Sequence, residues 1–370
     1  MRILYSVILL FLKGCKGMTG SGRLSWIFVG MIAVLTAASV LGINRYQYGV
    51  DDHAIIIPFI QSRVDPGLYP NDYILPQRDT YSSFGITLLA ILARQTGLPE
   101  LPVIFFVMYV LALVVSLVGI AELAFQLFDR ADAACLAMLL LILARPSVAG
   151  ISTLDDELLL RVLVMPLVIY AQVFLFRRKL LISTTLAGLV FMIHPLNGTH
   201  LALLLASMAL ISREFSIQQM ITAALILAGL ALPLLITRLN ITHPAMQVTP
   251  TWLYVMWYRS GHHLYLTSWR GVEIIYPVLA ALTFSISLLA VPHTTDRRML
   301  VFAAVAALVL MVMAVITTEV FPVPWLMQFQ FLRAPVLLLY TGFVAYAGLV
   351  VTELEKPGRW LHKIGVLLLC

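Results

Sequence analysis

The sequence predicts an all-α fold, a polytopic bundle of about ten transmembrane helices with a long first extracytoplasmic loop. Three observations carry this expectation. Of 370 residues, 61% are hydrophobic and only 11% are charged, whereas soluble domains carry roughly 25% charged residues. The apolar residues fall into long runs, and the mean hydropathy is +0.97. The Lys and Arg residues stand in short clusters between those runs, as they do when they orient a chain in a bilayer. The net charge of +6 therefore reads as membrane topology and not as a nucleic-acid surface. Cys15, Cys135 and Cys370 show no paired spacing, which speaks against a disulfide framework or a Cys-based zinc site.

A span needs about 20 apolar residues, within roughly 17–25. In chain order the candidates are 24–44, 101–128, 133–151, 158–176, 180–193, 201–211, 217–237, 274–292, 299–318 and 334–352. The runs 180–193 and 201–211 are short and flank a His194-Pro195-Leu196-Asn197-Gly198-Thr199-His200 break; as two spans or one re-entrant pair, they return the chain to the same side. Residues 1–12 are apolar but too short to cross, and no small-residue cleavage site follows, so no removed signal peptide is expected. The chain thus divides into a cytoplasmic segment 1–23, a membrane domain 24–352 with its first outer loop at 45–100, and a cytoplasmic segment 353–370 that opens a further, cut-short apolar run.

Orientation follows from the basic clusters. Lys13, Lys16 and Arg23 precede the first run and set a cytoplasmic N-terminus. Alternation then places Arg130, Arg177-Arg178-Lys179, Arg213, Arg297-Arg298, Lys356 and Arg359 on the cytoplasmic side. This works if 81–94 is an interfacial helix and not a crossing. That side reads as merely basic.

The polar residues that topology alone does not explain gather outside. The first loop holds Asp51-Asp52-His53, Asp65, Asp72 and Arg78-Asp79; the next turn holds Asp155-Asp156-Glu157 with Arg161 one turn further on; later connections hold His194, Asn197 and His200, then His243, Trp252, Trp257, His262-His263 and Trp269, then Glu319, Gln328, Gln330 and Arg333. Asp51 and Asp52 are either solvated loop acids or, in the reduced dielectric of the membrane surface, carboxylates suited to act as a base. Asp155, Asp156 and Glu157 are either helix-capping acids, with Glu157 and Arg161 an i,i+4 pair, or partners of a charge that faces a cavity at membrane depth. His194 before Pro195 marks a helix end. His262 and His263 lack metal-ligand spacing, and adjacent side chains diverge in a regular helix or strand. The aromatics at 252–269 suit either an interface belt or faces that stack on sugar rings. Arg333 is placed either to snorkel or to hold a phosphate.

The layout of one span, an outer loop opening Tyr48-Gly49-Val50-Asp51-Asp52-His53, a Pro70-Asn71-Asp72 element, Leu160-Arg161, His194-Pro195 with Gly198, and Gln328, Gln330, Arg333 resembles the GT-C superfamily of integral membrane glycosyltransferases, and within it bacterial mannosyltransferase-like members. The resemblance implies a hexosyltransferase of the bacterial inner membrane that takes a polyprenyl-phosphate-linked sugar donor and moves the sugar to an acceptor on the extracytoplasmic face. It implies Asp51 or Asp52 as catalytic base and, by position, Arg333 at the lipid phosphate; read from their own placement, Asp155, Asp156, Arg161 and His194 are expected to join Arg333 in binding substrate. A divalent cation such as Mg or Mn is admitted but not required, and membrane lipids, not nucleic acid, are the expected surroundings. Two alternatives stand beside it: a secondary transporter whose path is lined by Asp155, Asp156, Arg161 and Glu319, and a non-catalytic membrane assembly subunit.

Overall fold

The computed structural model describes residues 26–75, 83–143, 147–239 and 248–356. Lys13, Lys16, Arg23, Arg78-Asp79, His243, Arg359 and the final apolar run lie outside the described residues. Within them the chain is a helical bundle. Six helical stretches are long and apolar enough to cross a membrane: Leu98–Phe128, Pro195–Ser212, Ile217–Thr237, Val272–Ala290, Thr294–Val320 and Pro324–Glu355. This is a multi-pass membrane protein.

The helices in order are α1 Trp26–Ala38, α2 His53–Val64, α3 Phe84–Thr96, α4 Leu101–Phe128, α5 Ala131–Leu143, α6 Leu160–Phe176, α7 Leu180–Ile193, α8 Pro195–Ser212, α9 Ile217–Leu239, α10 Pro250–Leu264, α11 Val272–Ser287, α12 Thr294–Val315 and α13 Val336–Glu355. A two-residue antiparallel ladder, β1 Ser147–Val148 with β2 Ile151–Ser152, is turned by Ala149 and Gly150, both at positive φ. The run expected to span 133–151 is therefore a helix followed by a hairpin, because hydropathy alone does not separate the two. The expected connection 240–271 contains α10, and the first connection contains α2 and α3.

Helix α13 forms the centre: the most apolar part of Pro324–Glu355 is 94% buried, whereas that of Val272–Ala290 is 6% buried. Lipid tails are as apolar as Leu, so packing in the bilayer rests on close van der Waals fit. Small residues supply that fit. Eleven of the thirteen residues of α5 are buried, among them Ala131, Ala133, Ala134 and Ala137. The peripheral helices α9, α11 and α12 instead turn Leu225, Ile275, Leu282 and Leu308 outward, where an apolar surface meets lipid.

The tightest approach of a glycine to another segment's backbone joins α7 to α8. A Cβ on Gly198 would lie 2.2 Å from the Cα of Phe191, a backbone atom that has nowhere to go. Gly198→Ala should destabilise the protein by about 2–3 kcal/mol through overpacking. Thermal unfolding in detergent reads this out, and a midpoint equal to wild type would show that the hairpin has slack.

One end of the bundle is stitched by ion pairs. Arg130 bridges Asp132 and Glu355, each at 2.6 Å. Arg177 meets Glu122 at 2.9 Å, and Arg178 meets Asp296 at 2.8 Å and also Glu214. The expectation that this end is merely basic is corrected: among the described residues Arg130, Arg177, Arg178 and Lys356 meet acids, which spares these cations the expense of lying unpaired near lipid.

Candidate functional site

The other end holds the polar cleft. It begins where helices stop short. α6 and α7 have 17 and 14 residues, about 21–25 Å at roughly 1.5 Å per residue, less than the ~30 Å of hydrocarbon. Irregular backbone at such depth is tolerated where it lines a cavity. Here it does: Thr153, Asp155, Arg161, Asn197, Arg333 and Tyr340 line a narrow cleft of about 20 Å³, drawn from the 147–161 segment, α8, the turn before α13 and α13 itself.

Arg161 lies in the first turn of α6, where the positive end of the helix dipole disfavours a cation. The Asp155 carboxylate offsets this from outside the helix. Arg161 Nε donates to Asp155 Oδ2 at 2.5 Å and Nη2 to Oδ1 at 2.7 Å, a two-pronged pair. The expected Glu157–Arg161 helix pair is thus replaced by Asp155–Arg161. The acids do not cap α6 either, since its N-cap is Leu159 with no side-chain cap bond.

Arg333 sits in a single 3₁₀ turn, Phe331–Arg333, that follows Gln330 in the left-handed region. Its Nη1 donates to Gln330 Oε1. His194 ends α7 and caps α8, its Nδ1 accepting from the Asn197 amide at 3.1 Å. That is the helix end read from the sequence, and it orients Asn197 at the cleft wall. Burial, then the charges of Arg333 and Arg161, lower the pKa of His194 and keep it neutral.

The acidic segment is held by four separate elements. The hydroxyl of Tyr109 donates to the Asp155 carbonyl at 2.9 Å, and that of Tyr340 to Thr153 at 3.2 Å. The Gln47 amide donates to the Asp156 carbonyl at 2.7 Å, and its side chain to Asp156 Oδ2 at 3.1 Å. His53 Nε2 meets the Leu158 carbonyl at 3.0 Å. The opening of the first loop, Gln47 to His53, is therefore docked on Asp155 to Leu158.

Asp51 and Asp52 ride on that docked opening as exposed carboxylates, with Asp51 at φ 42°. They sit close enough to Glu157 to raise its pKa. They do not line the cleft itself. Of the other expected residues, Asp155, Arg161 and Arg333 line it, Asp156 holds Gln47, and His194 acts through Asn197. Glu319 accepts from the Thr267 amide at 3.0 Å and is not part of the lining.

Sequence reasoning passed over Gln47, Tyr109 and Tyr340. Tyr340 lies within an apolar run, where nothing local signals a polar duty. His262 and His263 also differ from expectation. Their ring centroids are 3.9 Å apart because α10 kinks at Ser260, and His263 Nδ1 meets the Ala149 carbonyl at 2.6 Å. Among the described residues no group of three His, Cys, Asp or Glu side chains is disposed to hold a metal ion.

No family model matches the chain, and neither a curated protein nor a solved structure matches it.

Proposed function

We propose that this chain is a GT-C-like integral membrane glycosyltransferase of a bacterial inner membrane that passes a hexosyl group from a polyprenyl-phosphate donor to an acceptor on the extracytoplasmic face. Counting α1, α5, α6 and α7 with the six long stretches brings the crossings to about ten. The cleft then opens outward and the ion-paired end lies in the cytoplasm.

The observation that carries the reading is the convergence of Asp155, Arg161, Asn197 and Arg333 on one cleft, with the exposed carboxylates of Asp51 and Asp52 docked at the same end. Two guanidiniums in a low-dielectric cleft suit a phosphate, because their planar forks match its oxygens. In the proposed step the acceptor hydroxyl oxygen bonds to the anomeric carbon as the bond from that carbon to the phosphate oxygen breaks. Asp51 or Asp52 takes the hydroxyl proton, the configuration inverts, and Arg333 with Arg161 stabilises the charge that grows on the leaving phosphate. The cleft is narrow, so seating a phosphate requires Arg161 or Arg333 to turn from its present protein partner.

Arg333→Lys tests this. An ammonium keeps the charge but not the fork. Loss of one charge-assisted bond, about 1.5–3 kcal/mol, corresponds to a ten- to hundredfold weaker donor. Transfer assays over a range of polyprenyl-phosphate sugar should show that shift. Wild-type donor dependence in the Lys variant would remove Arg333 from the phosphate.

A second reading, a secondary transporter, draws support from the short helices that end in polar backbone at depth, as discontinuous helices do around transported solutes. Solute flux across proteoliposomes with no lipid-linked sugar present would favour it.

A further inference from the structure

Glu157 stands apart from every other acid at this end. It is 4% exposed, and no described group gives its Oε2 a hydrogen bond. Its nearest basic neighbour is His53, fully buried, with Nδ1 at 3.6 Å. That approach is not an ion pair. The Gly49 amide already donates to His53 Nδ1 at 3.0 Å, so Nδ1 presents a lone pair, and Nε2 carries the proton that goes to the Leu158 carbonyl. Burial also lowers the pKa of His53. The imidazole is neutral, leaving no cation to offset a Glu157 carboxylate across that contact.

The remaining neighbours sharpen the problem. Asp51 and Asp52 from the turn before α2, and Asp155 from the same loop, all oppose a further negative charge; Arg161 of α6 favours one but is taken up by Asp155. The Tyr46 hydroxyl also couples to Glu157, and the rings of Tyr48 and of Phe105 from α4 close around His53 at 5.6 and 5.0 Å. A charged carboxylate with an oxygen buried beside neither a hydrogen-bond donor nor a free cation is strongly disfavoured.

We propose that Glu157 is a protonated carboxylic acid in the docked protein, and that this proton lets the segment from Gln47 to His53 seat on Asp155 to Leu158. Glu157 is then a positioning residue for Asp51 and Asp52, a role that rests on their reading as the base. Burial, followed by the charges of Asp52, Asp51 and Asp155, raises its pKa from 4.5 to about 7.

The sign is fixed by linkage. Below about pH 4.5 the acid is protonated whether the segment is docked or released, and docking is strongest. Between 4.5 and about 7 only the released form ionises, so docking weakens about tenfold per pH unit; above that window the loss is constant. Glu157→Gln carries no proton to lose and should hold the segment equally at every pH.

The experiment uses the full-length protein in lipid nanodiscs. Infrared spectra of wild type should contain a protonated-carboxyl stretch that fades with a midpoint near pH 7 and is missing from Glu157→Gln. This measurement needs no transfer activity. Hydrogen exchange of the Gln47 and Gly49 amides is then compared between the two proteins at equal pH. They should match at about pH 4.5, while at about pH 8 wild type exchanges faster by on the order of a hundredfold. Absence of the band, or identical exchange at both pH values, overturns the proposal. If both signals appear and transfer ignores the substitution, the proton assignment stands and the base reading fails.

Discussion

Replacing Asp51 and Asp52 together by Asn should lower the proposed sugar transfer by roughly 10²–10⁴-fold, the usual contribution of a general base, while leaving the protein folded and inserted. Both side chains are exposed, and among the described residues neither carboxylate takes part in a hydrogen bond. Exposed substitutions of this kind stay within about 0.5 kcal/mol of wild-type stability. The substitution also removes two of the charges that oppose ionisation of Glu157, so any change in stability at neutral pH should be a gain. Transfer from a polyprenyl-phosphate sugar by membranes, paired with thermal unfolding of the same protein, separates chemistry from folding. Undiminished transfer by the double variant would take these residues out of the mechanism.

Asp155→Ala acts on stability instead. The side chains of Asp155 and Arg161 are 11% and 22% exposed. Removing the acid strands a guanidinium in the first turn of α6, where the helix dipole already opposes it. Breaking such a pair should cost about 3 kcal/mol, near the lower end for buried pairs because Arg161 keeps some solvent. Arg161→Met added to Asp155→Ala should recover much of that loss, since an apolar replacement of both partners leaves no orphaned charge. Unfolding midpoints of the two variants check this. A double variant no more stable than the single one would mean that the pair is not what holds this end together.

The long helices were legible because membrane burial writes itself into composition: the limits of α4 at 101 and 128 follow from an apolar run in which Glu122 is the single charge. The His194-Pro195 break was legible for a local reason, since Pro restricts its predecessor and the imidazole then caps the new helix. Where partners lie off the regular helical spacing or far along the chain, local reading failed. It paired Arg161 with Glu157 on helical spacing, although α6 begins only at Leu160 and Glu157 lies outside it. It treated Gln47 as loop, although a residue 109 positions later holds its side chain. It separated the rings of His262 and His263 because it assumed a regular helix where the backbone bends. Asp51, Asp52, Asp155, Arg161 and Arg333 were named from residue type and depth, and their gathering at one end is a tertiary property that no window of sequence contains.

The burial of α13 has a consequence for how the protein is made. It is the last helix of the described residues to leave the ribosome, yet it fills the middle of the bundle against α4, α5 and α11. Insertion order and packing order run in opposite directions. Until α13 arrives, the Ala-rich face of α5 has only lipid or an insertion chaperone to cover it, and Arg130 waits for Glu355, 225 residues downstream. A nascent chain stalled before residue 336 would therefore carry a vacant central groove, with Gln172 of α6 lacking the Leu337 carbonyl to which it donates. Quality control in the membrane should recognise that open seam, and α13 supplied as a separate polypeptide should close it.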